Sequence, residues 1–180
     1  MNKQVWIEKA LGLGIQEFEI YQSTTVEKEM TWFQGQMDTL VSSKVTGTSI
    51  RGIVDGKMAN MALEEIDDSM CETVLKSLIE QAHIISNEEN DSLRKPEPIE
   101  YVKKDVTWNM ASTEYVKDIL QSLETKILAY DPRVIQVGYL GYSQGSGSRS
   151  IVNSLGMDVQ DADEMQYIVA SVVVKEEEEV

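Results

Sequence analysis

The spacing of hydrophobic and polar residues changes period several times along the chain. Trp6, Ala10 and Leu13 recur at i, i+4, i+7 with Val5 alongside, behind Asn2 as a cap. That spacing predicts a short helix over residues 3–11, stopped by Gly12 and Gly14. From Gln16 to Phe33 the period becomes two: Phe18 and Ile20 alternate with Glu17 and Glu19, then Val26, Met30 and Trp32 alternate with charged and polar residues. Gln34-Gly35-Gln36 reads as a turn and Met37 to Thr46 as a return strand. The stretch GTSIRGIVDGKMANM, residues 47–61, reads as two further short strands. They flank Asp55-Gly56, a pair suited to a type I′ turn because both central residues need positive φ. Residues 16–63 therefore predict about four antiparallel strands.

Ile66 to Ile85 carries an apolar stripe of Cys71, Val74, Leu75, Leu78, Ala82 and Ile85 behind a Ser69/Glu72 capping-box spacing, a helix that packs on a sheet. Residues 86–111 keep no period, and Pro96 and Pro98 forbid a helix, so an extended connector is expected, pinned by Tyr101, Val102 and Trp108. Ser112 caps a third helix, Thr113 to Tyr130, with Val116, Ile119, Leu120, Leu123 and Ile127 as its buried face and Asp131-Pro132 ending it. Strands return at Val134–Tyr142, Arg149–Val152 and Met165–Val174. Between them, 142–148 reads as a flexible loop and 153–156 as a tight turn. The fold class is α+β: antiparallel sheet from two strand groups, with three helices packed on one side. In sequence order this is a 1–85 unit, an 86–111 connector and a 112–180 unit, the two units forming one compact domain.

Charge narrows the function. Sixteen basic residues face 31 acidic ones, a net of −15, which opposes nucleic-acid phosphates and excludes a DNA-binding role. No apolar run is long enough to span a membrane, and the first residues lack the apolar core and cleavage site of a signal peptide. One cysteine, Cys71, allows no internal disulfide, and a cytoplasmic protein is expected.

No constellation of catalytic side chains stands out. His83, the single histidine, closes the second helix, where an imidazolium meets the helix dipole. Cys71 lies on a buried stripe and reads as core. Glu17/Glu19 and Glu27/Glu29 are carboxylates two apart on a strand, and solvated strand faces account for them better than an acid–base pair. Gly145-x-Gly147 lacks the Gly-Lys-Ser/Thr of a phosphate loop. The nine methionines read as core filler. No catalytic, cofactor-binding or metal-ligating residue is assigned.

Several ordered phrases resemble the N-terminal domain of the TldD/PmbA family. They are Ala10-Leu11-Gly12 before Glu17 and Tyr21, then Gly47…Ile50-Arg51-Gly52-Ile53-Val54-Asp55-Gly56-Lys57, with a helix of the Met70–His83 type after it. Tyr130-Asp131-Pro132-Arg133-Val134 and Ile151-Val152-Asn153-Ser154-Leu155-Gly156 follow, and their wording is closer to the PmbA branch. The resemblance implies metallopeptidases acting on peptides, some historically called modulators of DNA gyrase, that assemble as dimers. It also implies a zinc site, H-E-x-x-x-H plus a further ligand, beyond this domain, which the PmbA branch tends to lack. With one histidine, that motif cannot be assembled here.

The last strand runs into Lys175 and four glutamates, which reads either as an acidic tail or as a cut within a longer protein. The resemblance favours the cut. The expectation is an N-terminal domain of a peptide-processing metallopeptidase, helping to form a peptide cleft or a homo- or hetero-oligomeric assembly, with zinc chemistry outside this chain. The alternative is a non-catalytic peptide-binding or scaffold subunit, taking an extended peptide at the edge of a strand such as 16–33.

Overall fold

The computed structural model describes every residue except 65, 87–89, 99, 101, 106–109 and 176–180. Helix α1 (Lys3–Gly12) is capped by Asn2, whose side chain accepts from Val5 N–H. Strands β1 (Glu17–Phe33), β2 (Gln36–Val54) and β3 (Lys57–Leu63) follow, then a 3₁₀ turn (Asp68–Met70) and α2 (Cys71–Ile84). After the connector come α3 (Thr113–Tyr130), β4 (Val134–Asn153) and β5 (Asp158–Val174). The five strands form one antiparallel sheet in the order β3-β2-β1-β4-β5, and with three helices the class is α+β.

The central hairpin forms as its turn chemistry requires. Asp55 and Gly56 adopt φ of 49° and 75°, and β2 pairs with β3 from Thr48↔Leu63 to Val54↔Lys57. The turn is also clamped from outside. Asp91 N–H donates to the Gly56 carbonyl at 2.9 Å, and Met58 N–H donates to Asp91 Oδ2 at 3.1 Å. A Cβ at Gly56 would run into the Asn90 side-chain amide, at a φ that disfavours any side chain. Gly56→Ala is expected to cost about 1–3 kcal/mol. A urea midpoint equal to that of the parent would show that residues 90–91 yield without cost.

Packing gathers the chain into two compact units built from interleaved segments. The first takes Met1–Thr24, Val45–Asp105 and Ser148–Ala162; the second takes Thr25–Lys44, Val106–Gly147 and Asp163–Val180. In the first, alternation along β1 sends Phe18 and Ile20 to a core shared with Trp6, Ile50, Leu75 and Leu78 beneath α1 and α2. In the second, Met30 and Trp32 of β1 meet Val116 and Leu120 of α3 and Leu140 of β4. Glu124 of α3 is buried with them, and its Oε2 accepts from Trp32 Nε1 at 2.8 Å and Gly35 N–H at 2.9 Å. That partnership explains a carboxylate on an apolar helix stripe.

Several sequence expectations are corrected. Residues 16–63 hold three strands, because β2 runs unbroken through Gly47, where negative φ and β-branched neighbours keep the backbone extended. Residues 142–148 are strand, not loop, and β4 joins the two segments read separately. Flanked by β1 and β5, the small residues there answer to close neighbours. A Cβ at Gly147 would lie 2.7 Å from Asp163 Oδ1. β5 begins at Asp158, seven residues before Met165. The Ser69/Glu72 capping box does not form: Asp67 caps the 3₁₀ turn by accepting from Ser69 N–H, and α2 starts only at Cys71. Met37, Met70 and Met165 are exposed, so methionine is not uniformly core filler. β1 lies inside the sheet, paired on both sides, and cannot accept an added strand. Of the connector residues expected to pin it down, Val102 is exposed and Tyr101 and Trp108 lie outside the described residues; among the described connector residues the buried one is Leu93.

Candidate functional site

The same alternation that buries Phe18 and Ile20 under the helices turns Glu17, Glu19 and Tyr21 to the opposite face of the first unit. There the solvated-carboxylate reading fails. Glu19 is only 3% exposed, and Glu17 accepts from Ser92 Oγ and, at 2.6 Å, from Leu93 N–H. Ser92 and Leu93 of the connector lie against Glu17 on this face. Glu27 and Glu29 of the second unit do remain exposed.

Glu19 is the centre of a fully engaged polar group. Arg51 holds its Oε1 through Nε at 2.7 Å and Nη2 at 2.6 Å, while Asn153 Nδ2 donates to its Oε2 at 3.1 Å. Asn153 Nδ2 also donates to the Arg94 carbonyl at 3.0 Å, and its Oδ1 accepts from Leu155 N–H at 3.0 Å and Met157 N–H at 2.9 Å. The neighbouring Ser154 exchanges two hydrogen bonds with the Phe18 backbone, and Gly156 supplies the positive φ that closes the turn. The Ile50–Lys57 phrase and the Asn153-Ser154-Leu155-Gly156 phrase thus meet at one buried carboxylate. The charge is tolerable there because both oxygens are matched by donors.

Beside this group lies a cavity of about 380 Å³, lined by Glu19, Tyr21, Ser49, Arg51, Asn60 and Ile151. A second, of about 360 Å³, shares Tyr21 and Ile151 and continues past Val102, Val159, Lys104 and Arg149. Together they form one groove across the helix-free face of the first unit, polar at the Arg51 end and apolar at the Val159 end. Its donors and apolar walls equip it to hold an extended ligand. The second unit has its own cavity of about 530 Å³, between α3 residues Tyr115, Ile119 and Leu123 and Ile168 of β5.

The remaining sequence candidates lie elsewhere. His83 sits in the last turn of α2, more than half exposed, with its Nε2 3.9 Å from Asp55 Oδ2. Cys71 is wholly buried in the first core, and burial pushes its thiol pKa up. A thiol reagent is therefore expected to modify it only as fast as the protein unfolds. Rapid labelling of the native protein at mildly alkaline pH would contradict that. What sequence reasoning missed is Glu19. The signal for it was a lone Arg51 set among Ile50, Gly52, Ile53 and Val54, since a guanidinium in an apolar strand needs an anionic partner.

The two stretches of the chain on either side of the connector match domains of a class of metallopeptidase-type proteins. The model for PmbA/TldA metallopeptidase domain 1 matches residues 18–86, and that for the PmbA/TldA metallopeptidase central domain matches residues 107–180. The chain belongs to the TldD/PmbA family. No curated protein matches it in sequence. Among solved structures, it is similar to a Thermotoga maritima protein described as a candidate modulator of a DNA gyrase (TM-score 0.80, 18% identity, 96% of this chain and 39% of that one). It is also similar to TldE from Thermococcus kodakarensis (0.77, 19%, 97% and 39%). A second candidate modulator of DNA gyrase, from Bacteroides thetaiotaomicron, aligns at 0.71 and 17%, over 98% and 41%. The chain spans about two fifths of the length of these structures.

A metallopeptidase implies a metal, and the described residues do not fit one. Among the described residues no three or more His, Cys, Asp or Glu side chains come together to hold an ion. Both oxygens of Glu19 are already engaged, and Cys71 is sealed in the core. No helix of the described residues is long and apolar enough to cross a membrane.

Proposed function

We propose that this chain is the substrate-holding portion of a TldD/PmbA-type peptide-processing protein, with metal chemistry supplied by residues beyond it. The groove on the helix-free face carries this reading. It sets hydrogen-bonding groups at one end and apolar walls at the other, which suits a polypeptide with both polar backbone and apolar side chains to place. The cellular setting is the cytoplasm, and the full-length protein works as a homo-oligomer or beside a related subunit.

Fluorescence anisotropy of a labelled, unstructured peptide titrated with this chain tests it. Saturable binding without cleavage is expected. Ser49→Trp, which narrows the polar half of the groove, is expected to weaken binding about tenfold, or 1.4 kcal/mol, with no change in urea midpoint. Absence of binding at high protein concentration, or equal affinity in the variant, overturns the reading. The alternative, a non-catalytic binding subunit, uses the same groove. The two part on whether the encoded protein carries H-E-x-x-x-H elsewhere.

A further inference from the structure

We propose that the outer edge of β5, from Gln166 to Val174, takes up a strand of a partner protein, apolar through its middle and basic at both ends. This edge lies in the second unit and shares no residue with the groove, so it stands or falls apart from the peptide-holding reading. β5 closes the sheet order, and among the described residues no strand lies on its far side. Its backbone groups sort by parity. Lys175 N–H donates to the Arg133 carbonyl at 2.9 Å, where the chain enters β4, and a Cβ at Gly138 of β4 would stand 3.7 Å from the Ser171 carbonyl oxygen. Odd-numbered residues therefore turn their N–H and C=O toward β4. Gln166, Ile168, Ala170, Val172 and Val174 turn theirs away from it, a row of donors and acceptors that a further strand would pair.

Side chains narrow the kind of strand. Met165, Tyr167 and Val169 stand on one face of β5, and Ile168, Val172 and Val174 on the other, each between 39% and 63% exposed. Sheet edges are commonly blunted by charge or proline, and from Met165 to Val174 there is neither. The even-numbered face is the α3 face. Tyr142, clustered with Val116 and Leu120 of α3, donates to Gln166 Oε1 at 3.3 Å, and the cavity of about 530 Å³ sets Ile168 against Tyr115, Ile119 and Leu123. Every second side chain of an added strand would face α3 as Ile168 does, and a large apolar one finds walls there. Charge then chooses among apolar strands. The chain carries a net −15, and in sequence four glutamates follow Lys175. A field of that sign favours a partner with Lys or Arg beyond its apolar run and opposes a second copy of this chain, without requiring any one carboxylate to be unpaired.

The test titrates the full chain into a labelled peptide of alternating Val and Thr, with a central Leu and paired lysines at each end, and reads fluorescence anisotropy. Saturable binding is expected, about tenfold weaker when glutamates replace the lysines. Val172→Pro removes an outward N–H and no bond to β4, so it should change the urea midpoint little while weakening the lysine peptide about tenfold. Ile168→Lys, at an exposed position, should weaken it similarly by setting a like charge at the edge, whereas Ser49→Trp should bind it as the parent does. No binding, equal binding of the lysine and glutamate peptides, or parental affinity in both β5 variants overturns the proposal. A loss in Ser49→Trp alone assigns the peptide to the groove and overturns it as well. Sedimentation velocity of the chain alone supplies the last check: a dimer that Ile168→Lys dissolves would give the edge to a second copy instead.

Discussion

Asn153→Ala is expected to destabilise the protein by about 3–5 kcal/mol, because its one amide bonds four groups at once. Removing it leaves the Leu155 and Met157 amides without their acceptor, and takes a donor from the Arg94 carbonyl and from Glu19. Each buried group left unsatisfied costs on the order of 1–3 kcal/mol, and part of the sum is recovered as the turn relaxes toward water. Such a loss is a large share of the roughly 5–15 kcal/mol that holds a domain of ordinary stability together. Asn153→Asp separates the contributions: it keeps the acceptor for the turn but sets a second carboxylate against Glu19, and it should also destabilise. Urea unfolding followed by far-ultraviolet circular dichroism measures both. A loss below about 1 kcal/mol for the alanine variant would mean the network is incidental to folding.

The second large effect is at Gly52, where β2 passes under α2. A Cβ there would stand 2.9 Å from Ile15 Cγ2 and 3.0 Å from Leu78 Cδ2, both wholly or almost wholly buried. Gly52→Ala overpacks this contact and is expected to cost about 1–3 kcal/mol. Leu78→Ala, which opens a cavity at the same place, is expected to cost about 2–5 kcal/mol. The informative measurement is the double variant. The added methyl enters the space vacated by Leu78, so the two losses should fall short of additivity by about 0.5–3 kcal/mol. Strict additivity would show that Ile15 alone sets the limit at this glycine.

How far the sequence could be read depended on where each physical cause resided. The Asp55-Gly56 turn was legible because its requirement is local: two adjacent residues must take positive φ, and both do. The stripes of α2 and α3 were legible for the same reason, since Leu75, Leu78, Val116 and Leu120 advertise one buried face by spacing alone. Continuity of β4 was not, because Ser143 to Ser148 has no apolar alternation, and what keeps it extended is the pair of strands beside it. The groove was the least legible element. Alternation showed that Glu17 and Glu19 share a face, but not that Ser92 and Leu93, in a segment without period, would donate to Glu17 there. Phrases that carried the family resemblance named Arg51 and Asn153, and only the fold shows that Glu19 joins them.

The interleaving of the two compact units bears on how such a chain can change over evolutionary time. Each unit draws on residues from both sides of the connector, so neither the 18–86 stretch nor the 107–180 stretch contains a complete unit. A recombination breakpoint in the connector would hand each descendant gene strands lacking the neighbours they pair with. The two stretches are therefore inherited as a block. Structures only 17–19% identical share this fold, so it withstands extensive substitution, whereas shuffling one half against another would break the units.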